Sequence, residues 1–162
     1  MFSSLALQII NVLAGGAKMQ CGGWMHEEHT ADVLVIAYGR TLEEAFENAA
    51  RGVYEVVTDT SRVEPRRRVD ASIEGIDLEN LLYRFIENLI AYTDSEGLVF
   101  GLFRVCKIEC NGESCSIVAS AWGEEFDPSR HEHRTIVKAM TYADMEIKEE
   151  NGCWRVQFVV DI

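Results

Sequence analysis

The stretch LVFGLFRVCKIEC-NG-ESCSIVASAW, from Leu98 to Trp122, decides the fold. Two runs rich in β-branched and aromatic residues flank Asn111-Gly112, and an Asn-Gly pair between such runs is a strong hairpin signal. Strands are expected over 98–110 and 114–122. Strand signals continue downstream over Thr135–Thr141 and Met145–Glu149, then through a second turn at Asn151-Gly152 into Cys153–Val160. In that last run Trp154, Val156, Phe158 and Val160 share one face, which leaves Arg155, Gln157, Val159 and Asp161 on the other.

Upstream the pattern changes. Asp32–Tyr38 is apolar and β-branched enough to be a largely buried strand, closed by Gly39-Arg40. Thr41-Leu42-Glu43-Glu44 has the form of a capping box, in which hydroxyl and carboxylate satisfy the free N–H groups of a helix start. Leu42, Ala45, Phe46, Ala49, Val53, Val56 and Val57 follow at helical spacing, with Glu43, Glu47, Asn48 and Arg51 expected to face water. Thr58–Arg68 reads as a polar, solvated loop carrying the one concentrated basic patch, Arg66-Arg67-Arg68. Val69–Ile73 alternates as a short strand. Asp77 then caps a second helix with the stripe Leu78, Leu81, Leu82, Phe85, Ile86, Leu89 and Ile90. The expected fold is α+β: a mixed, mainly antiparallel sheet of about six or seven strands packed with two amphipathic helices.

The chain has 162 residues, two prolines and 48% hydrophobic residues, which suits one globular core that needs neither disulfides nor metal for stability. Fifteen Lys and Arg against 27 Asp and Glu give a formal charge of −12. Such a surface repels nucleic-acid backbones and favours a divalent cation or a basic protein face as partner. The five cysteines, Cys21, Cys106, Cys110, Cys115 and Cys153, form no CxxC pair or zinc-finger quartet. Free thiols in a reducing, cytoplasmic setting are the simpler expectation, although Cys110 and Cys115 could meet across their hairpin. The apolar run Leu5–Ala14 lacks a basic leader and is too short and interrupted to span a membrane. Residues 1–23 are therefore expected to be a poorly ordered extension, with Met19 or Met25 as alternative initiators, and 24–162 a single domain. No later segment could cross a membrane.

No GxGxxG, Walker loop, GxSxG or HExxH is present, so the common enzyme signatures are lacking. His26, Glu27, Glu28, His29 and Asp32 crowd the entry to the first buried strand, where a carboxylate such as Asp32 needs a cation or a donor. Asp161 and Ile162 supply a second group of hard oxygens suited to Ca²⁺ or Mg²⁺. The two groups make one site only if the first and last strands are neighbours. The polar loop Gly123–Arg134 holds His131 and His133 without the further ligands that zinc requires. Lys138, in an apolar run, is expected to point to solvent, with a partner-facing role as the alternative.

Taken together these residues resemble the archease family. His29-Thr30-Ala31-Asp32 is similar to the family's opening signature, followed by a strand, Gly39 and the Thr41–Phe46 helix start. Leu78–Leu89, Glu96–Phe100, His131-Glu132, Val137–Ala139, Thr141-Tyr142 and Val160-Asp161-Ile162 follow in the family's order. The resemblance implies a non-enzymatic protein cofactor that activates the GTP-dependent tRNA-splicing RNA ligase, promoting its guanylylation and repeated turnover, with RNA contacted only indirectly. It also implies a divalent metal, usually Ca²⁺ with Mg²⁺ or Mn²⁺ as alternatives, on Asp32, Asp161 and the oxygens of Ile162. His29 matches the adjoining signature, and His29, His131 and Lys138 are placed beside that site or on the partner surface. Ala143 stands where family members commonly have histidine. A metal-dependent hydrolase and a chaperone-like binding module are the other two classes.

Overall fold

The computed structural model describes residues 21–29 and 32–162. The expected N-terminal extension, apart from 21–23, lies outside the described residues, as does the Thr30-Ala31 part of the signature. The chain runs β1 (Trp24–His29), β2 (Asp32–Gly39), α1 (Leu42–Val57), a 3-10 turn (Thr60–Arg62), β3 (Arg67–Gly75) and α2 (Leu78–Glu96). It continues through β4 (Leu98–Cys110), β5 (Cys115–Glu125), β6 (Ala139–Met140), β7 (Glu146–Glu150) and β8 (Cys153–Asp161). The fold is α+β, as expected, but the strands number eight among the described residues and divide between two sheets. One sheet runs β1-β2-β8-β6 with β7 also paired to β8, and the other runs β3-β5-β4. Every pairing among the described residues is antiparallel, in line with the expected mainly antiparallel strands, which form two sheets rather than one.

Both helices begin where their caps place them. Thr41 Oγ1 accepts the Glu44 amide at 3.1 Å, while the Glu44 carboxylate takes the Arg40 amide. Asp77 accepts the Asn80 amide at 2.7 Å, and α2 ends on Gly97 in the left-handed region at φ 68°. Helix α1 packs on β2 of one sheet and β4 of the other, and α2 packs on β3, so one apolar core joins both sheets. Val35, Phe46, Phe85, Phe100, Ile117 and Phe158 are fully or almost fully buried in it. The predicted inward face of β8 is the observed one: Val156, Phe158 and Val160 are wholly buried.

Three local expectations need correction. Glu43, Glu47 and Asn48 do not simply face water. Glu47 accepts the Val105 amide at 2.7 Å, Glu43 accepts the Ile108 amide at 3.1 Å, and Asn48 donates to the Tyr38 carbonyl at 2.7 Å. Strand β4 lies at a sheet edge with bulges in its pairing to β5, so its amides need acceptors from elsewhere. Arg67 and Arg68 belong to β3 rather than to the preceding loop, because β5 runs on to Glu125 and pairs them with Gly123 and Trp122. Most of the strand expected over Thr135–Thr141 is irregular, and only Ala139–Met140 pairs with β8.

The cysteines also differ from the free-thiol expectation. Cys21 is bonded to Cys153 and Cys110 to Cys115, which leaves Cys106 free and exposed. The second bond closes the Asn111-Gly112 hairpin, where antiparallel pairing sets the two Cα atoms 4.0 Å apart. No helix of the described residues is long and apolar enough to cross a membrane.

Candidate functional site

The alternation of β2 and β8 decides which side chains meet. With Val33, Val35 and Ala37 in the core, Asp32, Leu34 and Ile36 fall on the other face of the sheet. In β8 the same rule sends Val156, Phe158 and Val160 inward and Gln157, Val159 and Asp161 outward. The strands are direct neighbours, and their register sets Asp32 opposite Asp161 and Leu34 opposite Val159. On the two sides, His29 is the register partner of Asp32 and Ala139 that of Asp161. One cross-strand row over four strands therefore reads His29, Asp32, Asp161, Ala139.

Directly opposed residues of antiparallel strands share a face with their Cβ atoms about 4.5–5.5 Å apart, and like charges so placed repel. Neither aspartate has an ion-pair partner among the described residues. The main-chain carbonyl of Asp161 accepts the Lys138 amide at 2.8 Å, which ties the segment before β6 to the end of β8. Ile162 is partly buried against the core, so the strand end is held in place. The Lys138 side chain is exposed, as expected, and stands next to the row. Among the described residues no group of three or more His, Cys, Asp or Glu side chains gathers around one point. What the described side chains and backbone of the row offer a cation is thus two carboxylates and main-chain oxygens, hard ligands of the kind that Ca²⁺, Mg²⁺ and Mn²⁺ take.

Next to the row lies a second apolar cluster that the sequence reading did not name. Leu34, Ile36 and Val159 are buried on this outer face, with Met25 and Tyr38 packed on them. The signal was the unbroken apolar run 33–37, since a strand buried on one face alone would alternate.

His131 is not brought to the aspartates. It is buried at 3% exposure against Glu124 of β5, itself 4% exposed, so its side chain is not offered to a partner surface. The Asp127 amide donates to His131 Nδ1 at 2.8 Å, so the ring proton sits on Nε2 and is donated to Glu124 Oε1 at 2.5 Å. Arg130 donates to the same oxygen at 2.7 Å. Burial pushes the Glu124 carboxyl upward, but the Arg130 and His131 hydrogen bonds outweigh it and hold the group below the usual carboxylate range. Glu124 is therefore a buried carboxylate, and sequence reading missed it because its partners lie in the loop after its own strand. His133 is exposed, with its ring edge-on to Phe126.

Residues 24–162 match the model of the archease protein family. The chain belongs to the archease family. Its relatives include the protein archease of Sulfurisphaera tokodaii, 53% identical over 135 residues that cover 83% of this chain and 95% of that one. The protein archease of Pyrococcus furiosus is 46% identical over 140 residues, 86% of this chain and 98% of the relative. Among solved structures, the solution structure of Methanobacterium thermoautotrophicum protein 1598 superimposes with a TM-score of 0.75 at 38% identity, covering 86% of this chain and 99% of that one. An archease from Thermotoga maritima, described as a possible chaperone, shares the fold with a TM-score of 0.53 at 18% identity, covering 84% and 94% of the two chains. The aligned archease relatives are matched over almost their whole length, so the row of carboxylates lies inside the shared archease domain.

Proposed function

We propose that this protein is a metal-binding activator of a GTP-dependent tRNA-splicing RNA ligase, acting on the enzyme rather than on RNA. Its family membership and a formal charge of −12 support that reading, because an acidic protein is steered toward a basic, RNA-handling enzyme and away from RNA itself. The single observation that carries the site is Asp32 standing directly opposite Asp161 on the outer face of the larger sheet. Two opposed carboxylates with no ion-pair partner among the described residues suit a divalent ion, most naturally Ca²⁺, with Mg²⁺ and Mn²⁺ as alternatives. Asp32, Asp161 and the main-chain oxygens of Ile162 would hold it. Bound there, the ion would cancel the repulsion between the carboxylates and give the acidic face a positive centre for nucleotide phosphates. The register position of His29 at one end of the row and the exposed Lys138 beside its other end are assigned to the docking surface.

The test is a ligation assay with the cognate ligase at limiting GTP, with and without this protein, across several divalent ions. Wild-type protein should stimulate guanylylation and multiple turnover. Asp32→Ala and Asp161→Ala should each lower that stimulation at least about tenfold, the loss expected when one of two charged ligands is removed. Calorimetric Ca²⁺ titration of the same variants reports on the ion directly. Full stimulation by both variants would overturn the site. No stimulation by the wild type, with suppression of aggregation of unrelated proteins instead, would favour the chaperone-like module. Turnover of a phosphate ester without ligase would favour the hydrolase.

A further inference from the structure

Two features of the sequence are not used by the aspartate row: the arginines at 66–68 and the polar loop 123–134. The fold brings them together. Arg66, Glu124, Glu125, Phe126, Asp127 and Arg130 line an open cleft of about 560 Å³ at the end of β5. Its three carboxylates and two guanidinium groups leave a formal local charge of −1, within a chain that is itself strongly acidic.

The buried member of this group is incompletely satisfied. Glu124 Oε1 receives both His131 Nε2 and Arg130, whereas Glu124 Oε2 is buried without any hydrogen bond. Arg66 Nε lies 3.1 Å from Oε2, close enough for an ion pair, but its single N–H points instead to Glu64 Oε2 at 2.7 Å. Arg66 therefore supplies charge to Glu124 without supplying the hydrogen. Its side chain is two-thirds exposed and doubly held by Glu64, so it can leave Glu124 and still keep a carboxylate partner. A buried carboxylate oxygen without a donor is unfavourable until one arrives, and a charged donor answers it best.

We infer that this cleft is a socket for an arginine side chain of a partner protein, with Arg66 as the placeholder that the incoming guanidinium displaces. The incoming group would donate to Glu124 Oε2, with Asp127 and Glu125 supplying further negative charge and the Phe126 ring a face on which a planar guanidinium can lie. A nucleotide would bring donors too, but its phosphates would enter a cleft of the wrong net sign. That the arginine belongs to the RNA ligase rests on the proposed function; the socket itself does not. It would give the docking interface a specific anchor apart from the metal row.

The probe is agmatine, a small guanidinium cation, titrated into the full chain and followed by ¹H–¹⁵N spectra that include the arginine Nε–H and histidine ring signals. Agmatine should shift the Arg130 and His131 signals saturably. Arg66→Ala, which removes the placeholder, should tighten binding about tenfold, and Glu124→Gln should weaken it about tenfold, the span of one charged hydrogen bond. Glu124→Gln keeps an acceptor for His131, and the dispersion of its spectrum reports whether the fold is intact. Should that variant unfold, Arg66→Ala and Arg66→Glu alone decide, since both act at an exposed side chain. Equal agmatine affinity in wild type and Arg66→Ala would overturn the socket. So would GTP shifting these signals where agmatine does not. Agmatine binding as described, combined with no effect of Arg66→Ala on capture of purified ligase, would keep the socket and reject the ligase as its partner.

Discussion

His26 shows how one buried side chain makes the fold sensitive to pH. It points into the core from β1, donates from Nε2 to the Gly52 carbonyl of α1 at 2.8 Å, and lies against the Trp24 ring. Burial lowers its pKa from 6.5, and the opposing pull of the Gly52 hydrogen bond and of Glu55 does not cancel that. The folded state thus binds fewer protons than the unfolded state once the pH drops below about 6.5, so stability rises with pH across that window. Its contribution is complete above the unfolded value and is lost as the pH falls toward the lower, folded one. Denaturant melts should give a smaller unfolding free energy at about pH 5.5 than at about pH 7.5. His26→Gln, which retains a donor for Gly52 but cannot titrate, should flatten the difference, and an unchanged slope would show that His26 is not its source.

At the level of elements, β4 depends on α1 for more than apolar contact. The register shifts around Gly101 and Cys106 leave edge amides that the ladder does not use, and Glu43 and Glu47 reach across to two of them. Burial raises the Glu47 carboxyl pKa despite the opposing Val105 hydrogen bond, the signature of a group working partly out of water. Glu47→Ala should cost about 1–3 kcal/mol in denaturant melts by orphaning the Val105 amide, whereas Glu47→Gln, which can still accept, should cost less. Equal losses would mean that charge rather than the hydrogen bond matters. The helix starts were legible in advance because Thr41 and Asp77 act on amides three residues away, a distance that sequence spacing encodes. The bulges, the use of Glu43 and Glu47, and the entry of Arg67 and Arg68 into β3 were not legible. Each depends on which strand lies alongside, and the sheet order joins segments far apart in the chain.

On the scale of the whole molecule, Asp32 and Asp161 could be named from the residues themselves, but their meeting was expected only through the family resemblance, since it requires β8 to insert beside β2. Glu124 went unnoticed because nothing in an exposed-looking Gly-Glu-Glu sequence marks the residue that the loop 126–134 folds over. The Cys21–Cys153 disulfide was missed for a related reason, unlike the hairpin pair Cys110–Cys115: its cysteines are separated by 132 residues, so only the closed fold makes them neighbours. That bond ties the entrance of β1 to the start of β8 and so fastens the two chain regions that carry the aspartates. In the chain-entropy account, a closure of 132 residues restricts the unfolded chain by about 5 kcal/mol and one of 5 residues by about 2 kcal/mol. Measured losses usually fall below such values, so Cys153→Ala should lower the melting temperature by roughly 5–15 °C and Cys110→Ala by clearly less. Reductant should lower wild-type stability and leave a Cys153→Ala, Cys110→Ala double variant unmoved. A larger loss from Cys110→Ala than from Cys153→Ala would mean that the hairpin closure, not the link between the chain's two ends, is what the fold relies on.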